Sequence, residues 1–309
     1  MDRSRRSVLL KKRLLKAGSG LLRTIFLLGV GYVTLYPMLF MISSSFMSVS
    51  DTLDATVVWL PSGMNWFNYQ KAFELMDYSA SMLNTVSIVL PCVILQVISS
   101  VFIAYGFARF KVPGLSVLFA ILLFNIIVPA GCYILPVYVL MSDLGLLGSI
   151  AQFYIQAILG VGIRSALYIF IIRQFFRTMP KELEEAAFID GCNPFQTFIR
   201  IMVPNVKPAI LTVSVLSLVW YYNDTSVLGM LINDIDKNPL SLALYEMPGK
   251  FDGQFQNLVG QATLTGDLKL LRGSILAAAC LIMVLPITAI YILVQKHFTE
   301  GIERTGIVG

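Results

Sequence analysis

Residues 179–195 read Met-Pro-Lys-Glu-Leu-Glu-Glu-Ala-Ala-Phe-Ile-Asp-Gly-Cys-Asn-Pro-Phe, a pattern suited to docking rather than to bond breaking. Pro180 fits the first turn of a helix, where its missing N–H is no loss. Glu182, Glu184 and Glu185 place negative charge at the positive end of that helix. Gly191 offers a left-handed residue that stops it, and Asn193 can cap a second helix opening on Pro194. The second helix should run to about Val203, where Pro204 interrupts the pattern. Ala186 and Ala187 present almost no side chain, so a partner surface can approach closely, while Glu185 remains to pair with a basic group on it. An amphipathic loop lying on lipid would prefer a basic polar face. This face is acidic.

A second set of polar residues falls inside apolar stretches. Arg164 lies nine residues before Arg173, so about 13 Å deeper along a continuous helix rising 1.5 Å per residue. An arginine at that depth needs a partner. Two uses are open: attracting a carboxylate or hydroxyl of a solute, or pairing with a backbone carbonyl or a companion subunit. Asn125, Gln156 and Asn223, with Gln96 and Gln152, can supply hydrogen bonds to a solute or join helices to each other. His297 follows Lys296 at a helix end and suits a contact of the tail with a partner better than acid–base work. No catalytic group is expected. Cys92, Cys132, Cys192 and Cys280 are scattered without metal spacing, so neither a metal site nor a disulfide framework is expected.

The elements that must hold these residues are set by composition. The chain has 309 residues, 57% hydrophobic and 13% charged, against about 25% charged in soluble domains. Such a chain needs lipid as solvent. With about 20 apolar residues per crossing, spans fall near 21–43, 84–106, 114–136, 150–173, 206–231 and 273–295. Pro91, Pro129, Gly160 and Pro286 do not veto them, because neighbouring helices can satisfy the freed backbone. The net charge of +5 is concentrated beside spans rather than spread as a nucleic-acid surface.

Basic residues sort the segments into two sides. The basic N-terminus 1–20, the segment with Arg109 and Lys111, the segment 178–204 and the tail 296–309 are assigned to the cytoplasm. The outer segments 44–83, 137–149 and 232–272 are acidic or mixed. Residues 44–83, with Trp59, Pro61, Trp66 and Tyr69, suggest an interfacial or folded excursion; residues 232–272 read as a polar outer loop. The 84–295 stretch would hold the five later spans.

The cytoplasmic segment resembles the permease subunits of binding-protein-dependent ABC importers. Their signature is Glu-Ala-Ala, three residues, Gly, nine residues, Ile, any residue, Leu-Pro; this chain has Glu185-Ala186-Ala187, Gly191, Ile201 and Val203-Pro204. Ala104-Tyr105-Gly106-Phe107-Ala108-Arg109-Phe110, Pro136-Val137-Tyr138 and Ile172-Arg173-Gln174-Phe175-Phe176 are similar to carbohydrate-type permeases. The tail from Gln295 resembles the second permease of maltose-type transporters. Trp220-Tyr221-Tyr222-Asn223-Asp224 departs from the usual run by an inserted aromatic pair.

The resemblance implies an all-α type I importer permease of six transmembrane helices, with its coupling helix between the fourth and fifth. It implies a second related permease, two ATPase subunits carrying ATP and magnesium, an extracytoplasmic binding protein, and a bacterial inner-membrane location. It places Glu184, Glu185, Ala186, Ala187, Asp190, Gly191 and Pro204 at the ATPase, with tail contacts from Gln295, His297, Phe298 and Gly301. It points to a sugar or oligosaccharide, to which Arg164 adds a preference for acid. The chain has no GxxxxGK[S/T], since no lysine precedes Ser or Thr, so it lacks the backbone cradle for nucleotide phosphates. An ion-coupled secondary transporter would show inverted repeats and paired midplane charges, and the sequence shows neither. A membrane scaffold or receptor would leave the Glu-Ala-Ala segment unexplained.

Overall fold

The computed structural model describes the backbone over residues 2–259 and 266–306, and side chains over 18–254 and 269–295 together with Lys16. Among these residues there is helix and turn but no strand. The basic side chains of 3–13, His297, Phe298 and the residues after Gly306 lie outside the described set.

The chain divides into two units, residues 1–71 with 261–281, and residues 72–260 with 282–309. The first holds α1 (Asp2–Ser45), α2 (Val49–Leu53) and most of α3 (Phe67–Leu75). Apolar residues of α1 between Leu21 and Ile42 are exposed on all sides, as a helix facing lipid or another membrane chain must be. The following segment is folded, as its aromatic residues suggest. Ser48 caps α2 in a reciprocal box with Asp51. The Asp51 carboxylate also accepts from the Ser62 hydroxyl, which holds it below the usual carboxylate range. Asn68 donates to the carbonyls of Ser45 and Met47, both at 2.9 Å.

The second unit is built around α4 (Tyr78–Arg109). There follow α5 (Leu115–Ile127), α6 (Ala130–Asp143), α7 (Ala151–Ile158), α8 (Ser165–Thr178) and α9 (Glu182–Ile189). Next come α10 (Pro194–Thr197), a π turn at Phe198–Met202 and α11 (Val203–Asn205), then α12 (Lys207–Asn223) and α13 (Ser226–Leu231). The last two are α14 (Leu240–Val259) and α15 (Gly266–Gly306), the latter contributing to both units.

Three of the expected spans are continuous and apolar: Gly18–Ser45, Tyr78–Arg109 and Lys269–Gln295. The other three are broken, and the break in the fourth corrects the placing of Arg164 on a continuous helix. The third bends by 107° between α5 and α6. Pro129 forces Val128 into an extended conformation, φ −68° and ψ 121°. The fourth stops at Ile158 and restarts at Ser165, with Gly160 at φ +71°. The fifth breaks after Asn223, where the Asp224 carboxylate accepts from the N–H groups of Val227 and Leu228 at 2.8 and 2.9 Å to open α13. Pro91 and Pro286, by contrast, sit inside unbroken helices.

The expected outer loop 232–272 is also corrected, because much of it is helical. Leu240, Ala243, Met247 and Phe251 recur at helical spacing and are all fully buried, a stripe masked in the sequence by Pro239, Pro248, Gly249 and Gly253. Thr85 accepts the Leu240 N–H at 2.8 Å, and Asn84 donates to the Asp236 carbonyl at 2.8 Å, tying this segment to α4.

Candidate functional site

Two buried clusters in the second unit position the residues of interest. One gathers Ile88, Cys92, Phe153, Tyr221, Leu228 and Leu231. The other gathers Ala104, Tyr168, Ile172, Phe176, Phe198 and Met202. The second cluster draws the segment after α9 into the same core as α4 and α8.

The segment 179–205 forms the expected pair of helices. Gly191 adopts φ +84° and ends α9. Asn193 accepts from the Gln196 N–H at 2.8 Å, and Gln196 returns a bond to the Asn193 N–H, with Pro194 in the first turn. Two details differ from expectation. α9 begins at Glu182, two residues beyond Pro180, and the second helix runs through Pro204 to Asn205. Proline cannot donate and its ring crowds the carbonyl four residues back. The π turn at Phe198–Met202 widens the helix just before Pro204, which relieves that crowding.

The acids of α9 point in different directions. Glu184 is turned inward: Tyr105 donates to its Oε1 at 2.8 Å, and Arg109 Nε lies 3.4 Å from its Oε2. Both side chains of that ion pair are largely buried, and Arg109 also donates to the Met179 carbonyl at 2.9 Å. Phe198 packs on Tyr105 with ring centroids 4.8 Å apart and on Phe102 at 4.9 Å. Tyr105 thus touches both helices of the segment. Ala187 is buried, whereas Glu185, Ala186, Asp190, Gly191 and Pro204 are exposed. Phe188 and Ile189 join them, Ile189 at 85% exposure. The Tyr105–Arg109–Glu184 group was missed from sequence. Its signal is a tyrosine and an arginine four residues apart, on one face of a span's last turns.

The break between α7 and α8 is a second site. Non-helical backbone at membrane depth is tolerated where protein satisfies its polar groups. Ser99 donates to the Ala157 carbonyl at 2.7 Å, and the Ile163 N–H reaches the Tyr221 hydroxyl at 3.3 Å. Gln96 is fully buried beside them, accepting from Ser165 at 3.0 Å and donating to Ser100 at 3.2 Å. A methyl group at Gly162 would overlap Gln96 Oε1 and the Tyr221 hydroxyl oxygen, so this approach requires glycine. Gln152 donates to the Leu231 carbonyl at 3.0 Å. Gln96 and Gln152 therefore join helices.

Arg164 sits within this break, at the start of α8 rather than inside a continuous helix. It adopts φ +58°, and its guanidinium lies 4.3 Å from the centre of the Trp220 ring. Its side chain is exposed. No hydrogen bond or close ion pair of its guanidinium occurs among the described residues, but the half-buried Asp224 carboxylate just after α12 lies within reach of its charge. Asn223, exposed three residues beyond Trp220, donates to the Val219 carbonyl at 2.9 Å. Gln156 is half-buried, with a buried amide nitrogen that has no hydrogen-bond partner among the described residues. Asn125 is exposed near the end of α5. The structure brings Arg164 to Trp220 near the end of α12, the helix that also carries Asn223; Gln156 and Asn125 stand on α7 and α5.

An all-helical, highly apolar chain with broken spans and a compact helix pair between two of them is a multi-pass membrane permease. Residues 66–304 match the family described as binding-protein-dependent transport system inner membrane component, and the chain belongs to that family. It is similar to protein LplC of Bacillus subtilis, 30% identical over 288 residues that cover 90% of each chain. It is 26% identical to the polygalacturonan/rhamnogalacturonan transport system permease YtcP of the same organism, over 89% of this chain and 93% of the relative. The melibiose/raffinose/stachyose import permease MelC, also of Bacillus subtilis, is 28% identical over 83% of this chain and 86% of its own. Among solved structures, a chain of a bacterial ABC transporter involved in importing the acidic polysaccharide alginate matches with a TM-score of 0.71. That match covers 96% of this chain and 99% of the other at 23% identity, and it establishes the type I importer fold. The ion-coupled reading finds no support among these relatives.

Proposed function

We propose that this chain is one of two related permeases lining the pathway of an ATP-driven importer for an oligosaccharide or polysaccharide, with acidic sugars among its cargo. A second permease, two ATPase subunits and an extracytoplasmic binding protein complete the assembly. ATP and magnesium are held by the ATPase subunits. Both termini and the segment 178–204 face the cytoplasm of a bacterial cell, following the basic residues beside the spans.

The observation that carries this reading is the division of labour on α9. Its inner side is tied to α4 through Glu184, and its outer side leaves Glu185, Ala186, Phe188 and Ile189 exposed. A helix held on one side and bare on the other can receive a push and pass it on. The ATPase subunit docks on Glu185, Ala186, Asp190 and Gly191, with Pro204 at the far edge, while the buried Ala187 and the inward Glu184 anchor α9 behind that face. Closure of the ATPase dimer displaces α9, and Tyr105 and Arg109 carry that displacement into α4. Gln295, His297, Phe298 and Gly301 add a tail contact.

The cargo passes the break between α7 and α8. Arg164, Asn125, Gln156 and Asn223 are the pathway residues, and Trp220 gives Arg164 an aromatic neighbour on which a sugar ring can stack. The acidic cargo is supported by the guanidinium and by the polygalacturonan/rhamnogalacturonan permease among the relatives.

In the reconstituted complex, Glu185→Lys and Gly191→Pro should each abolish solute-stimulated ATP hydrolysis. Stimulation surviving in both variants would overturn the docking assignment.

A further inference from the structure

A cavity of about 390 Å³ opens where the end of α4, the start of α5 and the last turns of α8 meet. Lys111, Arg173 and Arg177 line it, together with Ser116 and the rings of Phe107 and Phe119, and no carboxylate is among its lining residues. Arg173 and Arg177 are one helical turn apart, a spacing at which like charges repel. Lys111 adds a third positive charge. The nearby acid Glu184 is already taken by Arg109.

Arg173 is held in place. Its Nε donates to the Phe107 carbonyl at 3.3 Å and its guanidinium lies 3.7 Å over the Phe119 ring. No other hydrogen bond of that guanidinium occurs among the described residues. Lys111 and Arg177 are exposed. In the first turn of α5 the N–H groups of Leu115, Val117 and Leu118 donate to the carbonyls of Val112 and Gly114, and that of Ser116 alone has no acceptor among the described residues, leaving one backbone donor for an anion. Three cations sharing one hollow without an acid are relieved by a bound anion.

We infer that this cavity binds the phosphate of an anionic membrane lipid. The chemistry alone would suit any phosphate. The cavity, however, lies at the ends of three membrane helices, and Phe110 and Val112, exposed at 60% and 56%, flank Lys111. Acyl chains have apolar residues to lie against, and a free anion would have no use for them. Basic pockets between membrane helices take lipid headgroups by this logic.

The test is titration of the purified full-length chain, in neutral detergent, with phosphatidylglycerol and separately with phosphatidylcholine, read by native mass spectrometry. Phosphatidylglycerol should bind more tightly. In Lys111→Gln/Arg177→Gln its affinity should fall about thirtyfold, roughly fivefold for each cation, with phosphatidylcholine unaffected. Lys111→Arg/Arg177→Lys should restore it, and Lys207→Gln, outside the cavity, should change nothing. Unaltered phosphatidylglycerol affinity in the neutralised variant would overturn the site. Failure of the charge-restoring variant to recover affinity would do the same. Full competition by inorganic phosphate at equal concentration would assign the cavity to a free anion and overturn the lipid.

Discussion

At the scale of residues, the most informative position is Arg164. A non-glycine residue at φ +58° sits in a sparsely populated region that costs on the order of 1–3 kcal/mol. A cation at a helix N-terminus is also opposed by the helix dipole. Stacking on Trp220 offsets part of both. A position unfavourable in two ways and exposed beside the proposed pathway fits recognition better than folding. Arg164→Gly separates the two roles, since glycine adopts this conformation freely. The thermal midpoint of the variant should hold or rise, while uptake of a uronate oligosaccharide falls about 10- to 100-fold, the worth of a lost charged hydrogen bond. Uptake of a neutral oligosaccharide should change little. Equal loss for both sugars would assign Arg164 to structure.

At the scale of elements, the proposed coupling runs through the joint between α9 and α4. Tyr105 and Arg109 both grip Glu184, and Tyr105 packs on Phe198 beyond the turn. Tyr105→Phe removes one hydrogen bond, worth about 1 kcal/mol, and keeps the ring. Solute-stimulated ATP hydrolysis should drop severalfold without loss of assembled complex, and Glu184→Gln should cost more because the ion pair goes too. Unchanged coupling in both variants would mean that α9 moves without α4. The helix pair itself was legible in the sequence, because Gly191, Asn193 and Pro194 each impose a local conformation. Glu184's inward direction was not, since its partners lie 79 and 75 residues away in the chain. Composition identified the spans but not their breaks. Pro91 and Pro129 are alike in sequence, and only the second falls at a bend. The buried stripe of α14 was obscured by its prolines and glycines.

At the scale of the whole molecule, the chain keeps much apolar surface uncovered. The span Gly18–Ser45 buries nothing in its apolar window, whereas Tyr78–Arg109 is 44% buried. That difference suits a chain whose second unit forms its own core while the first helix is left for lipid or a companion permease. Against this apolar background the outer face of α9 is unusual in combining acids, alanine and bare apolar side chains. The central claim is that this face meets an ATPase subunit. Ala186→Cys, in a chain with Cys132 and Cys192 changed to Ser, allows a direct reading in the assembled complex. A short bifunctional cross-linker should join position 186 to an ATPase subunit in high yield, and Glu185→Lys in the same chain should suppress that product. Cross-linking of position 186 only to the second permease, or to no protein, would contradict the claim.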